Sequence, residues 1–343
     1  MSRVGRVSVP QTGRRSTGPR DAARPTVFVA AGPTASPVHA LTPERIAAAS
    51  RRHPVFRRVR IVQGGGPADL ARAEVILGTG FDFKGLAERA PRLRWIQAMS
   101  AGVERLAPSL DRRYLLTNVS GVHGPKGGEY ALTCLLALNH GLQRFVTSQR
   151  RHVWEPFFTT PIVGKTVVIV GAGALGRAVA REARRHGMRI VGVNTTGRRV
   201  AGFDEVVRTS ALARVLPRAD FLVVTLPKTP ATVGLLDREA VFRLPDHCGV
   251  VNIGRGAVLD SDAIATRLRA GTLAGAVLDV FEPEPLPAES HLWDVPNLII
   301  SPHCGIDDAS AYIDRGLDVF AENLGRYLDG RKLLNVVDLE RGY

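Results

Sequence analysis

The sequence has little lysine, little cysteine and no long apolar run. Only Lys84, Lys126, Lys165, Lys228 and Lys332 are lysines, so the formal net charge of +14 is carried almost wholly by arginine. Such a bias reflects coding composition as readily as a nucleic-acid surface. No recognised nucleic-acid motif and no basic stripe with interleaved aromatics accompanies it, so no nucleic-acid partner is expected. No stretch approaches the roughly 18 apolar residues of a membrane span, and no apolar core follows the N-terminal arginines as in a signal peptide. The expectation is a soluble, cytoplasmic chain with no membrane partner. Cys134, Cys248 and Cys304 are odd in number and far apart, which argues against a disulfide framework and against a zinc site. Buried free thiols and no bound metal are expected instead.

What is present suffices for two globular domains. A chain of 343 residues with 45% hydrophobic and 23% charged content can bury two cores, which excludes disorder throughout. The opening segment is different: Arg3, Arg6, Arg14, Arg15, Arg20 and Arg24 are opposed only by Asp21, among prolines, glycines and serines. Residues 1–25 therefore read as a disordered basic tail. A transit peptide would share the composition, but the amphipathic helical pattern of one is not clear.

After the tail, "TVFVAA" (26–31), "AEVILG" (73–78), "LRWIQAMS" (93–100) and "YLLTNVS" (114–120) are short apolar runs that predict buried strands of an α/β domain. "GEYALTCLLALNHGLQRFV" (128–146) is too long for a strand and predicts one largely apolar helix, a bridge to a second domain. From Lys165 onward strand, glycine turn, helix and strand alternate, with Gly187 as a helix stop. "DFLVVTL", "GVVNIG", "LAGAVLDV" and "PNLIIS" add four strands, and "SDAIATRLRAGTL" adds a helix capped by Ser261 or Asp262 and ended by Gly271. This alternation calls for a mostly parallel sheet with helices on both faces.

Gly171, Gly173 and Gly176 fit G-x-G-x-x-G between a continuous apolar strand and a helix. The first glycine permits the turn, the second lets backbone approach a pyrophosphate, and the third lets helix pack on strand. The next strand ends at Asn194, about 20 residues on, where an NAD-selective site carries an acid for the ribose hydroxyls. Asn194 removes the repulsion that an acid would exert on a 2′-phosphate. Thr195 and Thr196 can donate hydrogen bonds to that group, and Arg198 or Arg199 can pair with it. NADP(H) is the expected preference, with NAD(H) as the other admissible cofactor.

Three segments then end successive strands: "VNIGRGAVLD" with Arg255, "LDVFEPEPL" with Asp279 and Glu284, and "SPHCG" with His303. Ligands of open parallel sheets sit beyond the carboxyl ends of the strands, which puts Arg255, Glu284 and His303 where a nicotinamide should end. A cation there can hold a carboxylate and polarise a carbonyl, a role suited to Arg255. A carbonyl that takes hydride from a nicotinamide also needs a proton. His303 suits that step, with Glu284 on its other ring nitrogen to orient it and favour imidazolium.

With these segments, and with "WIQAMSAGVERL", "GGEYAL", "VIVGAGALGRAVA" and "ADFLVVTLPKTPATVGLL" in order before them, the chain resembles the D-isomer-specific 2-hydroxyacid dehydrogenases. The resemblance covers nearly everything after the tail. It implies two doubly wound parallel-sheet domains, a Rossmann-type cofactor domain (122–306) inserted into a flavodoxin-like substrate domain (26–121 and 307–343), and pairing of two chains through the cofactor domains. It also implies that the backbone amides of Ser100, Ala101 and Gly102 hold the substrate carboxylate and that Asp279 meets the nicotinamide carboxamide. Ala174 and Leu175 would meet the pyrophosphate, and Leu226, Pro227 and Ile253 the adenosine and ribose regions.

The implied activity is hydride transfer between NAD(P)H and a 2-oxo or D-2-hydroxy acid, with glyoxylate and hydroxypyruvate as first candidates. In the formate-oxidising relatives a glutamine accompanies the histidine, and in the phosphite-oxidising ones a lysine lies in the loop that here reads "MSAGVE". Glu284 and that loop disfavour both. The alternative is a nucleotide-sensing, corepressor-like protein of the same fold with weak catalysis, against which the intact Arg255, Glu284 and His303 argue.

Overall fold

A computed structural model describes residues 24–32, 37–79, 82, 84–104 and 106–343. Apart from Arg24 and Pro25, the tail expected over 1–25 lies outside the described residues. Two sheets organise the rest. The first contains β1 (Thr26–Ala31), β2 (Arg60–Gln63), β3 (Val75–Thr79), β4 (Trp95–Ala98) and β5 (Leu115–Thr117) in the order β2-β1-β3-β4-β5, every neighbouring pair parallel. The second contains β6 (Thr166–Val170), β7 (Arg189–Asn194), β8 (Glu205–Arg208), β9 (Phe221–Val224), β10 (Gly249–Asn252), β11 (Gly275–Leu278) and β12 (Leu298–Ile300). Its order is β12-β11-β10-β9-β6-β7-β8, again parallel throughout. The first order is the flavodoxin-like one and the second is the Rossmann order with a seventh strand added. The α/β class and the pair of doubly wound sheets are as the sequence predicts.

The inner strands form because unbroken apolar runs are buried on both faces, as parallel sheets covered by helices require. All four residues of β4, β9, β10 and β11 are buried. β2 and β8, which the apolar pattern misses, are edge strands whose residues are only partly buried and include Arg60, Glu205 and Arg208. The helix expected over 128–146 is two helices, Gly124–Asn139 and Leu142–Arg150. Gly141 between them has φ of +69°, a left-handed conformation that ends the first helix. The helix Ser261–Arg269 is capped one residue earlier than expected, by Asp260, whose carboxylate accepts from the Ala263 amide at 2.8 Å.

The second sheet is an insertion, because the helix that follows it, Tyr312–Leu328, packs back on the first sheet. Ile313, Leu317, Phe320 and Leu324 recur at helical spacing and are buried there, with the Phe320 ring 5.4 Å from that of Trp95. A buried polar network fixes the contact: Trp95 Nε1 donates to Thr117 Oγ1 at 2.8 Å, Thr117 Oγ1 to Gln97 Oε1 at 2.9 Å, and Asn323 Nδ2 to Gln97 Oε1 at 3.2 Å. Consequently the carboxyl ends of both sheets border one cleft. Among the described residues, no helix is long and apolar enough to cross a membrane and no metal-binding cluster occurs.

Candidate active site

The cleft has a volume of about 930 Å³. Ser100, Ala101 and Gly102 line it from the loop after β4. Gly173, Ala174, Leu175, Leu226, Pro227, Ile253, Arg255, Glu284 and His303 line it from the second sheet. The structure thus gathers most of the sequence-predicted site residues into one cavity, each from a loop that leaves the carboxyl end of a strand.

The glycine loop fits a dinucleotide. Gly171 turns the chain at φ +113°, and a Cβ on Gly176 would stand 1.9 Å from the Gly171 carbonyl oxygen, so only glycine allows the helix Ala174–Arg185 to approach the end of β6. Thr225 Oγ1 donates to that same carbonyl at 2.8 Å. Gly173 precedes the helix with no side-chain cap and open space around its Cα, and the first turn contains no acid. The helix therefore offers its leading amides, and the positive end of its dipole, to an anion.

The turn after β7 stands apart from the cleft lining. Asn194 organises it: its Oδ1 accepts from the amides of Thr196 and Gly197 at 3.1 and 2.6 Å, and its Nδ2 donates to the Arg198 carbonyl at 3.1 Å. Its polar atoms are engaged within the turn. Thr195, Thr196, Arg198 and Arg199 are exposed. Arg208, at the end of β8, is exposed as well and donates through Nε to the Thr196 carbonyl at 3.0 Å. Among the described residues, none of these three arginines has a carboxylate partner. Arg181, Arg184, Arg185, Arg189 and Arg218, elsewhere on the same unit, are all paired with Glu182, Asp204 or Glu205. The turn after β7 is thus a local concentration of unpaired positive charge.

At the opposite end, His303 follows β12 with φ of +51°, a conformation that histidine adopts more readily than most residues. Its amide donates to the Asp279 carbonyl at 2.8 Å. Its Nδ1 lies 2.7 Å from Glu284 Oε2, while Glu284 Oε1 accepts from the Phe281 amide at 2.8 Å. A carboxylate can only accept, so Nδ1 carries the proton and Nε2 is the nitrogen left for chemistry. Arg255 leaves β10 through a turn that Asn252 shapes, accepting from the Gly254 amide at 3.1 Å and donating to the Arg255 carbonyl at 3.2 Å. Among the described residues, the amides of Ser100, Ala101 and Gly102 have no protein acceptor. Ser100 Oγ and Asn118 Nδ2 instead hold the carbonyls of Gly102 and Ala101, at 2.7 and 2.8 Å.

Asp279, which the resemblance brings to the nicotinamide carboxamide, is held beneath the His303 loop. It is 0% exposed and outside the cleft lining. Its Oδ1 accepts from Ser301 Oγ at 2.6 Å and from the amides of Cys304 and Gly305 at 3.2 and 3.1 Å, and Oδ2 from the Gly305 amide at 3.3 Å. Burial raises its pKa against the pull of these donors. Those contacts make Asp279 the anchor of the loop that presents His303. Cys134 and Cys248 are buried, as expected, and burial pushes the Cys134 thiol up to about 12. Cys304 is exposed instead, because it rides on the His303 loop at the cleft rim.

Sequence reasoning passed over several residues of the cleft wall. Asp307 lies within ion-pair distance of His39 Nε2, at 3.0 Å, and of His123 Nδ1, at 3.3 Å, and all three line the cavity. Burial lowers the pKa of His123 against the attraction of Asp307. Glu104 pairs with Arg255, its Oε1 accepting from Nε at 2.6 Å. Asp307 follows "SPHCG" closely enough to have been suspected. The others lack any local pattern.

The model of the family described as "D-isomer specific 2-hydroxyacid dehydrogenase, NAD binding domain" matches residues 132–305, just over half of the chain. The chain belongs to this family. D-3-phosphoglycerate dehydrogenase of Mycobacterium leprae is 31% identical over 257 residues, which is 74% of this chain and 48% of that protein. The chain therefore spans about half the length of that relative. The crystal structure of a D-isomer specific 2-hydroxyacid dehydrogenase from Xanthobacter autotrophicus Py2, in complex with NADPH and MES, superposes with a TM-score of 0.81 at 27% identity, covering 94% of this chain and 100% of that one. The NADPH-dependent glyoxylate/hydroxypyruvate reductase of Sinorhizobium meliloti, in complex with NADP and sulfate, gives 0.76 at 27% identity, covering 93% and 100%.

Proposed function

We propose that this family member reduces a small 2-oxo acid to the D-2-hydroxy acid, with NADPH as the preferred hydride donor and NADH as the alternative. The observation that carries this reading is the His303–Glu284 pair placed in one cleft with Arg255 and the glycine-loop helix. Residues 122–306 would hold the cofactor, which supplies the hydride when bound. Residues 26–121 and 307–343 would close over the substrate.

Arg255 and the free amides of Ser100, Ala101 and Gly102 would hold the substrate carboxylate from opposite walls, and the guanidinium would polarise the 2-oxo group. As C2 gains a hydride, its oxygen needs a proton, which His303 donates from Nε2. Glu284 keeps the Nδ1 proton in place and offsets the imidazolium charge before transfer. In the oxidative direction His303 takes the proton back. Purified protein should oxidise NADPH in the presence of glyoxylate or hydroxypyruvate, followed by nicotinamide absorbance; no oxidation with any 2-oxo acid would defeat the proposal.

The cofactor preference rests on the unpaired arginines after β7. A 2′-phosphate would meet Arg198 or Arg199, with the hydroxyls of Thr195 and Thr196 as neutral donors and no carboxylate to repel it. The NADPH and NADP complexes of the two solved structures named above support NADP(H) as a cofactor. Replacing Arg198 and Arg199 together by alanine should lower the NADPH-to-NADH ratio of kcat/KM by about tenfold or more, the effect of losing a charge-assisted contact. An unchanged ratio would assign the arginines to the solvated surface.

The partner is a second copy of the chain, joined through the cofactor-binding unit. The segment 152–161 carries Trp154 at 97% exposure and Phe158 at 91% beside the half-exposed Val153. Apolar surface of this kind, gathered on one extended arm, marks an interface. Light scattering after gel filtration should show a dimer that Trp154→Asp with Phe158→Asp converts to monomer; a monomeric unaltered protein would refute the pairing.

A further inference from the structure

We infer that Glu104 is a positioning residue that aligns Arg255 across the cleft, so that the substrate-binding cation is assembled from both sheet units. The inference rests on the reading of Arg255 as the group that meets the substrate carboxylate. Glu104 leaves the loop after β4 in the first sheet, and Arg255 leaves β10 in the second. Their contact joins the two walls.

The guanidinium is held at two of its edges. Nε donates to Glu104 Oε1 at 2.6 Å and Nη1 donates to the Gly254 carbonyl at 2.7 Å. Both side chains of the pair are largely sheltered, Arg255 at 28% and Glu104 at 21% exposure, so the contact is screened less than a surface ion pair. Glu104 takes the single Nε hydrogen and Gly254 one of the two on Nη1, which leaves one hydrogen on Nη1 and two on Nη2 for a carboxylate. Nη2 runs along Gly102: a Cβ there would stand 2.1 Å from Nη2 and 2.6 Å from Glu104 Oε2. Gly102 is thus the gap through which the pair passes, on the same loop that lines the cleft with Ser100 and Ala101.

A carboxylate beside a substrate-binding arginine could act in either of two ways. As a competitor it would sit on the end-on face and lower affinity for substrate. As an orienting group it would sit on Nε and fix the plane. Glu104 takes Nε, and the backbone carbonyl of Gly254 supplies the second anchor on Nη1, so the plane is fixed while Arg255 lines the cleft with hydrogens left on both Nη atoms. Without Glu104 the long side chain regains rotamers that binding must again freeze.

The test is steady-state kinetics of Glu104→Ala, Glu104→Gln and Gly102→Ala with NADPH and glyoxylate, together with NADPH titration by fluorescence and thermal unfolding. Glu104→Ala should raise KM for glyoxylate about tenfold and lower kcat, with the NADPH Kd within about twofold of the unaltered protein. Glu104→Gln, which keeps an acceptor for the Nε hydrogen, should recover most of that loss. Gly102→Ala should resemble Glu104→Ala by displacing Arg255. An unchanged or lowered KM in Glu104→Ala would overturn the inference, as would Glu104→Gln behaving like alanine. Silence of the unaltered protein with every 2-oxo acid would overturn the proposed function and this inference together.

Discussion

His303→Ala should lower kcat for the reduction of a 2-oxo acid by about 10²- to 10⁴-fold, the range expected when a positioned general acid is lost. NADPH binding, measured by fluorescence, should change only a few-fold, because the glycine loop and the turn after β7 are untouched. His303→Gln is the sharper variant: it preserves much of the volume and polarity of the side chain but cannot deliver a proton near neutral pH. Near-normal turnover in either variant would assign His303 to structure. Glu284→Gln should fall between His303→Ala and the unaltered protein, because the amide can still contact Nδ1 at the 2.7 Å position but no longer offsets an imidazolium charge.

Arg255→Ala should lower kcat/KM for the 2-oxo acid by about 10²- to 10³-fold, corresponding to the loss of a sheltered charge-assisted contact in both ground and transition states. The deletion also leaves the Glu104 carboxylate without its 2.6 Å partner, in a wall where it is largely sheltered. Part of the loss will therefore come from an uncompensated anion that repels the substrate. Arg255→Lys should restore charge but little activity, because an ammonium cannot span Glu104, the Gly254 carbonyl and a carboxylate at once. Full activity in the lysine variant would mean that charge alone matters and that the fork geometry has no function.

The elements that could be read directly from the sequence were those with a local physical signature. The inner strands β6, β7 and β9 to β11 are apolar runs bounded by turns, and the glycine loop declares its geometry in three positions. The edge strands β2 and β8 carry no such run, since one side of an edge strand needs no apolar partner. Arg255, Glu284 and His303 were legible because each ends or follows a strand, and the parallel topology sends all those ends to one cleft. The partners of Asp279 were not legible in the same way: a carboxylate at a strand end looks free, and only the positions of Ser301, Cys304 and Gly305 show its Oδ1 to be engaged. Glu104 and Arg255 lie 151 residues apart. Their meeting depends on how the two sheets face each other, which no local pattern encodes. Arg208 likewise became visible only when β8 was placed beside β7.

The central claim is that this cleft delivers a hydride to C2 of a 2-oxo acid and a proton to its oxygen, yielding the D isomer. It is tested most directly by incubating the protein with NADPH deuterated at the transferring carbon and with hydroxypyruvate, then determining the isotopic content and handedness of the glycerate formed. The account predicts D-glycerate carrying one deuterium at C2. L-glycerate, glycerate without deuterium, or no product despite demonstrated NADPH binding would contradict it, and the last result would instead suit a protein that senses the nucleotide without turning it over.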